Sequence, residues 1–173
     1  LAPAGATRMK VGRTLQPAEG EVTYYDYRGA KQVKAMPGLG LTLAAQPYGA
    51  FALETMDAFG GWIGAPIDYL RFILAIDGRR GAALLDAETV AEMSAHGLKE
   101  SPNGDESTGH GVYYGLGIRV RPVQNGANLF HTGSIPGTST LAVRTADGFT
   151  WFVMFNGRAQ ERQGFRGQVV RTL

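Results

Sequence analysis

The chain has 173 residues, with 17 Lys and Arg against 15 Asp and Glu, and no cysteine. That length suits one domain or most of one, and 44% apolar residues is ordinary globular usage, enough for a core that removes roughly 70% of the unfolded chain's surface from water. A net charge of +2 with scattered cations argues against a nucleic-acid-tracking surface, the absent thiols exclude disulfides, thiolate catalysis and zinc–thiolate sites, and no apolar run approaches the roughly 18 residues that span a bilayer.

Residues 1–20 are rich in Gly, Ala and Pro and read as a loop or the tail of a helix. Glu21 to Tyr27 alternates aromatic and β-branched residues and predicts a strand, with Tyr24, Tyr25 and Tyr27 as packing residues. From Lys34 to Gly64 the composition predicts a long structured loop, punctuated by Pro37-Gly38, Gly40, Pro47 and Gly60-Gly61. Gly38-Leu39-Gly40 lacks the third glycine and the strand–helix setting of a dinucleotide loop.

Pro66 suits the first position of a helix, where its missing N–H leaves nothing unpaired. Ile67, Leu70, Ile73 and Leu74 give that helix one apolar face, and Gly78 stops it. Asp86 caps a second helix that extends to about His96-Gly97, with Leu85 and Val90 at the positions of a hydrophobic staple. Ser101 to Gly111 is a polar loop.

The period then changes from helical to alternating. Strands are predicted over Tyr113–Val120, Leu129–Gly133, Thr138–Thr145 and Phe149–Phe155, with Asn125-Gly126 and Asp147-Gly148 as turns. Such short connections favour an antiparallel meander. Residues 161–173 read as a helix. Because the chain opens on Leu1 and closes within that stretch, it reads as part of a longer protein.

The chemistry concentrates in His131-Thr132-Gly133-Ser134-Ile135-Pro136-Gly137, which lies between two strand-forming runs. His131 offers a hydrogen-bonding or charged head whose state responds to pH near neutrality. Gly133 lets another molecule approach the backbone. Backbone N–H groups beyond it can face a developing oxyanion. Ser134 itself has no assignable base and orienting group, so its hydroxyl is not read as a nucleophile. His96 and His110 read as surface or loop residues, and the three histidines lack metal-ligand spacing.

The order of these pieces resembles the C-terminal half of the serine β-lactamase-related family: class C β-lactamases, D-Ala-D-Ala carboxypeptidases and related esterases. The pieces are Gly60-Gly61-Trp62, Asp68-Tyr69-Leu70-Arg71-Phe72, Leu84-Leu85-Asp86, Tyr114-Gly115-Leu116-Gly117-Ile118, His131-Thr132-Gly133 and Phe152-Val153-Met154-Phe155-Asn156. Members of that family use a Ser-x-x-Lys nucleophile, a Tyr-x-Asn or Ser-x-Asn second element and Lys-Thr-Gly or His-Thr-Gly on an edge strand. Neither Ser-x-x-Lys nor Tyr-x-Asn occurs in this chain, and in the family both lie N-terminal to everything present here.

The resemblance implies an α+β fold, part of an αβα sandwich, with an antiparallel sheet of three to five strands and packed helices. It makes residues 1–173 the C-terminal portion of one hydrolase domain. That domain would act on a D-alanyl peptide, β-lactam or small ester through an acyl-enzyme, and this portion alone would be inactive. His131, Thr132 and Gly133 would hold substrate, the Ser134 N–H would serve the oxyanion hole, and Trp62 would wall the cleft. No cofactor or metal is implied. The implied partners are a small-molecule or peptide substrate, the N-terminal portion of the domain, and a second copy joined through an exposed sheet edge. The competing expectation is a non-catalytic module that binds a peptide or partner on the same sheet. The compartment is left open between periplasm and cytoplasm.

Overall fold

The computed structural model describes residues 1–79, 81–95 and 111–158. Its centre is an antiparallel sheet whose five strands follow one another in chain order. They are β5 (Tyr113–Tyr114), β6 (Arg119–Val123), β7 (Gly126–Ile135), β8 (Thr138–Arg144) and β9 (Thr150–Phe155). Two small ribbons precede it. In one, β1 (Lys10–Val11) pairs with β4 (Trp62–Ile63); in the other, β2 (Val33–Lys34) pairs with β3 (Leu43–Ala44). The helices are α1 (Gln46–Gly49), α2 (Pro66–Ile76) and α3 (Ala87–Ser94). The antiparallel α+β architecture is the expected one. The predicted helix over 161–173 and the loop from Ser101 to His110 lie outside the described residues.

Alternation along the meander separates two faces. Phe130 stands opposite Val143, Leu141 opposite Val153, and Val143 opposite Trp151. Phe130, Leu141 and Val143 are buried together, with Val112, Trp151 and Val153 packed around them. The intervening residues face the other way. His131 stands opposite Ala142, and Ala142 opposite Phe152. Phe152 meets Tyr69 of α2 with ring centroids 4.6 Å apart. One strand, β7, therefore supplies the core with Phe130 and presents His131 on the reverse.

Helix α2 starts at Pro66 as predicted and ends at Ile76, with Asp77 as its C-cap and Gly78, at φ +73°, immediately after it. There the chain doubles back, and Leu84 N–H donates to Ala75 O at 2.8 Å. The Asp86 carboxylate caps α3 by accepting from Thr89 N–H at 2.8 Å. Helix α3 closes at Ser94, short of the predicted His96.

Two carboxylates fasten α2. Asp68 is fully buried and accepts from Arg8 Nε and Arg71 Nη1, each at 3.0 Å, tying the N-terminal segment to the helix. Burial alone would push its carboxyl up, but the hydrogen bonds and charges of both arginines hold it below the usual carboxylate range. At the far end Asp77 pairs with Arg144 of β8 and with Arg79. A depressed folded pKa means that the Asp68 contribution is complete above the unfolded carboxylate range and is lost as pH falls through the folded value. Asp68→Asn should therefore lower the Tm at neutral pH and flatten the acid limb of a plot of Tm against pH. A parallel acid limb would show that Asp68 does not govern it.

Two strand expectations need correction. Glu21 to Tyr27 is not a strand; its ladder is a single parallel bridge from Tyr25 to Gly157. Side chains satisfy the segment instead: Tyr24 N–H donates to the Tyr48 hydroxyl at 2.7 Å, and Asn156 Nδ2 donates to Thr23 O at 2.9 Å. Tyr24 does pack, against the Tyr48 ring, whereas Tyr25 is mostly exposed. Tyr113 to Val120 is not one strand but a hairpin, with Tyr113 opposite Val120 and Tyr114 opposite Arg119. Gly117, at φ +73°, makes the reversal.

Candidate active site

The β6–β7 ladder runs from the Val123–Gly126 pair to the Arg119–Phe130 pair and ends there. The β7–β8 ladder continues through Ile135, which faces Thr138. His131, Thr132, Gly133 and Ser134 thus lie on the part of β7 that overruns β6. This corrects the expected edge strand: β7 is central in the sheet order, and the His-Thr-Gly segment lies past the end of its β6 neighbour. The turn closing the hairpin is Pro136-Gly137. Gly137 has φ +81°, and a Cβ there would come within 2.8 Å of Pro47 and Tyr24 side chains. The tip of the hairpin therefore packs on the segment that follows residue 20.

His131 is half-buried. Its Nε2 lies 3.1 Å from the Tyr114 hydroxyl, with the two rings edge-on at 6.2 Å between centroids. The Arg119 guanidinium stands 5.9 Å from the centre of the Tyr114 ring. The pairs Tyr114–Arg119 and Arg119–Phe130 set those residues abreast, and His131 follows one position on. Burial first, and the nearby Arg119 charge second, hold the His131 imidazolium below the usual histidine range. That direction favours the neutral, hydrogen-bonding form of His131 over the cation.

Thr132 stands opposite the buried Leu141, on the core face. Gly133 stands opposite Thr140, and a Cβ on Gly133 would overlap the Thr140 hydroxyl. Cross-strand packing against Thr140 thus favours glycine at this position. Ser134 is exposed beside the turn.

Trp62 is held elsewhere. It belongs to β4, stands opposite Val11, and donates from Nε1 to Asp57 O at 2.5 Å. No hydrogen bond or ring contact joins it to the His131 strand among the described residues. Gly61 beside it has a structural cause, since a Cβ there would come within 2.5 Å of Leu53 O. His96 and His110 lie outside the described residues. Among the described residues no group of three or more His, Cys, Asp or Glu could hold a metal ion, and no helix is long and apolar enough to cross a membrane. Ser101-Pro102-Asn103 has the Ser-x-Asn spacing of the family's second element; it too lies outside the described residues.

In the sequence Tyr114 stands only as part of a glycine-rich run, with nothing local to give it a role beside His131. The signal was topological. A tyrosine at the end of a two-strand hairpin reaches the third strand only when the register is known.

Strand order, helix placement and the His-Thr-Gly segment together define a fold of the β-lactamase and penicillin-binding-protein class. The Beta-lactamase family profile matches residues 1–171, and the chain belongs to that family. It is similar to the D-amino acid amidase of Ochrobactrum anthropi SV3. The complex of that enzyme with L-phenylalanine amide has 19% identity and a TM-score of 0.62, over 99% of this chain and 45% of the other. The complex with D-phenylalanine has 20% identity and a TM-score of 0.63, over 99% and 46%. A D-stereospecific amidohydrolase from a Streptomyces species has 25% identity and a TM-score of 0.54, over 90% and 41%. The chain therefore spans less than half of the length of these structures. No curated protein gave a significant match.

Proposed function

We propose that this chain is the C-terminal portion of a serine hydrolase domain and supplies its His-Thr-Gly strand. In this reading a serine outside residues 1–173 attacks an amide or ester carbonyl. The C–N or C–O bond breaks, the departing amine or alcohol takes up a proton, and water then hydrolyses the acyl-enzyme. His131 receives the substrate, the backbone at Gly133 lets it approach, and the Ser134 N–H stabilises the oxyanion. Thr132, expected beside His131 as a substrate contact, turns its side chain to the core face opposite Leu141 and is left out of that role. The observation that carries the reading is the half-buried His131, held by Tyr114 on the part of β7 that overruns β6. Support for a portion of a domain comes from the amidohydrolase likeness spanning less than half of those chains. Amide substrates built on amino acids are favoured by that likeness, with small esters and β-lactams sharing the same carbonyl chemistry.

The test is covalent. Treat the purified chain with a fluorophosphonate and a chromogenic β-lactam, then follow turnover and intact mass. The expected result is neither turnover nor adduct. A protein carrying the whole domain should turn over and take the adduct on a serine outside these residues. An adduct on Ser134 of the purified chain would overturn the assignment.

A further inference from the structure

Tyr114 is half-exposed, yet its position is fixed from both sides. Its neighbour Tyr113 donates from its hydroxyl to Ser94 O at 2.8 Å, at the end of α3. Leu116 N–H donates to Met93 O at 2.9 Å, and Gly115 N–H to Ile118 O at 2.8 Å. Gly115 lies so close to Met93 O that a Cβ there would overlap it. The β5–β6 hairpin is thus clamped on the C-terminal turn of α3. An exposed tyrosine so anchored, with its hydroxyl 3.1 Å from a ring nitrogen, is placed to orient that ring.

We propose that the Tyr114 hydroxyl donates to Nε2 of His131 and holds the imidazole in the tautomer that carries its proton on Nδ1, leaving that N–H to a substrate oxygen. The direction of the hydrogen bond follows from charge. A cation over an aromatic face draws electron density from the ring, so Arg119 makes the phenol a better donor and a poorer acceptor. A neutral imidazole has one bare nitrogen and one N–H, and a strong donor at Nε2 selects the form with Nε2 bare. Among the described residues Nδ1 has no hydrogen-bond partner. Among the described residues, the charged and titratable groups that the contacts place beside His131 are Tyr114 from β5 and Arg119 from β6; β8 contributes the apolar Ala142.

The consequence concerns substrate class, and that part rests on the proposed hydrolase reading. A neutral N–H donates to an uncharged amide or ester oxygen as well as to a carboxylate. Substrates without a free carboxylate therefore fit this head group, where a lysine would favour an anion. Tyr114 is a positioning residue in this scheme, acting through His131.

The experiment uses long-range ¹H–¹⁵N correlation spectra of the histidine rings in the purified chain. His131 is assigned by loss of its signals in His131→Gln. At a pH where the ring is neutral, the expected pattern is Nδ1 protonated and Nε2 bare. Tyr114→Phe keeps the ring and should shift His131 to a mixture or to the opposite tautomer, with an unchanged backbone amide spectrum. Tyr114→Leu checks the same outcome without the aromatic edge. Nε2 protonated in the parent chain, or an unaltered tautomer in both variants, would overturn the proposal. The reading is independent of turnover, so a domain that proved non-catalytic would defeat the hydrolase assignment and leave this one standing.

Discussion

His131→Ala, made in a protein carrying the whole domain, is expected to lower kcat/KM about 10- to 100-fold while leaving the Tm nearly unchanged. A hydrogen bond to a charged oxygen contributes roughly 1.5–3 kcal/mol, which becomes that rate factor when the bond forms mainly in the transition state. His131 is half-buried beside a solvent-exposed tyrosine, so its removal opens no enclosed cavity. The loss should fall on kcat more than on KM if the oxygen gains charge during reaction. The pH dependence has a definite sign. Burial and, second to it, Arg119 depress the folded pKa of His131 below the ordinary histidine value of about 6.5. The unfolded chain therefore takes up its proton first as pH falls. The stability this residue contributes is complete above pH ~6.5 and is lost on acidification towards the folded value. The alanine variant should lack that segment of the stability curve. If the Tm collapses while the folded fraction retains full kcat/KM, His131 is structural.

The meander, its turns and the α2 start were legible because they depend on local chemistry. Alternation fixed which residues of β7 and β8 share a face, Asn125-Gly126 and Asp147-Gly148 marked reversals, and Pro66 marked a helix start. What escaped depends on partners distant in sequence. Glu21 to Tyr27 has strand composition but no strand alongside; Tyr48 and Asn156 take its backbone groups instead. The position of His131 within the sheet was misjudged because a motif does not reveal how long its neighbour is. Only the end of β6 at Arg119 shows that the segment overruns it. The lowered pKa of His131 likewise depends on tertiary structure, first on its burial and second on Arg119, a residue twelve positions away that the fold sets beside it.

Phe130→Ala should produce the complementary loss, of stability, from the residue next to His131. Phe130 is 1% exposed and packs with Leu141 and Val143, with Trp151 and Val153 at the margin of the same cluster. Truncating a phenylalanine in such a setting costs about 3–5 kcal/mol, because the lost transfer energy is joined by that of a cavity the neighbours only partly fill. For a chain of this size each kcal/mol lowers the Tm by roughly 2–4 °C, so a fall on the order of 10 °C is expected. Phe130→Leu keeps most of the volume and should lose less than half as much. Urea unfolding of the purified chain gives the comparison directly, with a lowered midpoint at an unchanged slope as the expected form. The imidazole of any folded Phe130→Leu protein should keep its tautomer, since Phe130 faces the core while His131 faces Tyr114. A Phe130→Ala loss below about 1 kcal/mol would show that this cluster is not the centre of the core. The division of β7 into a core face at Phe130 and an opposite face at His131 would then fail with it.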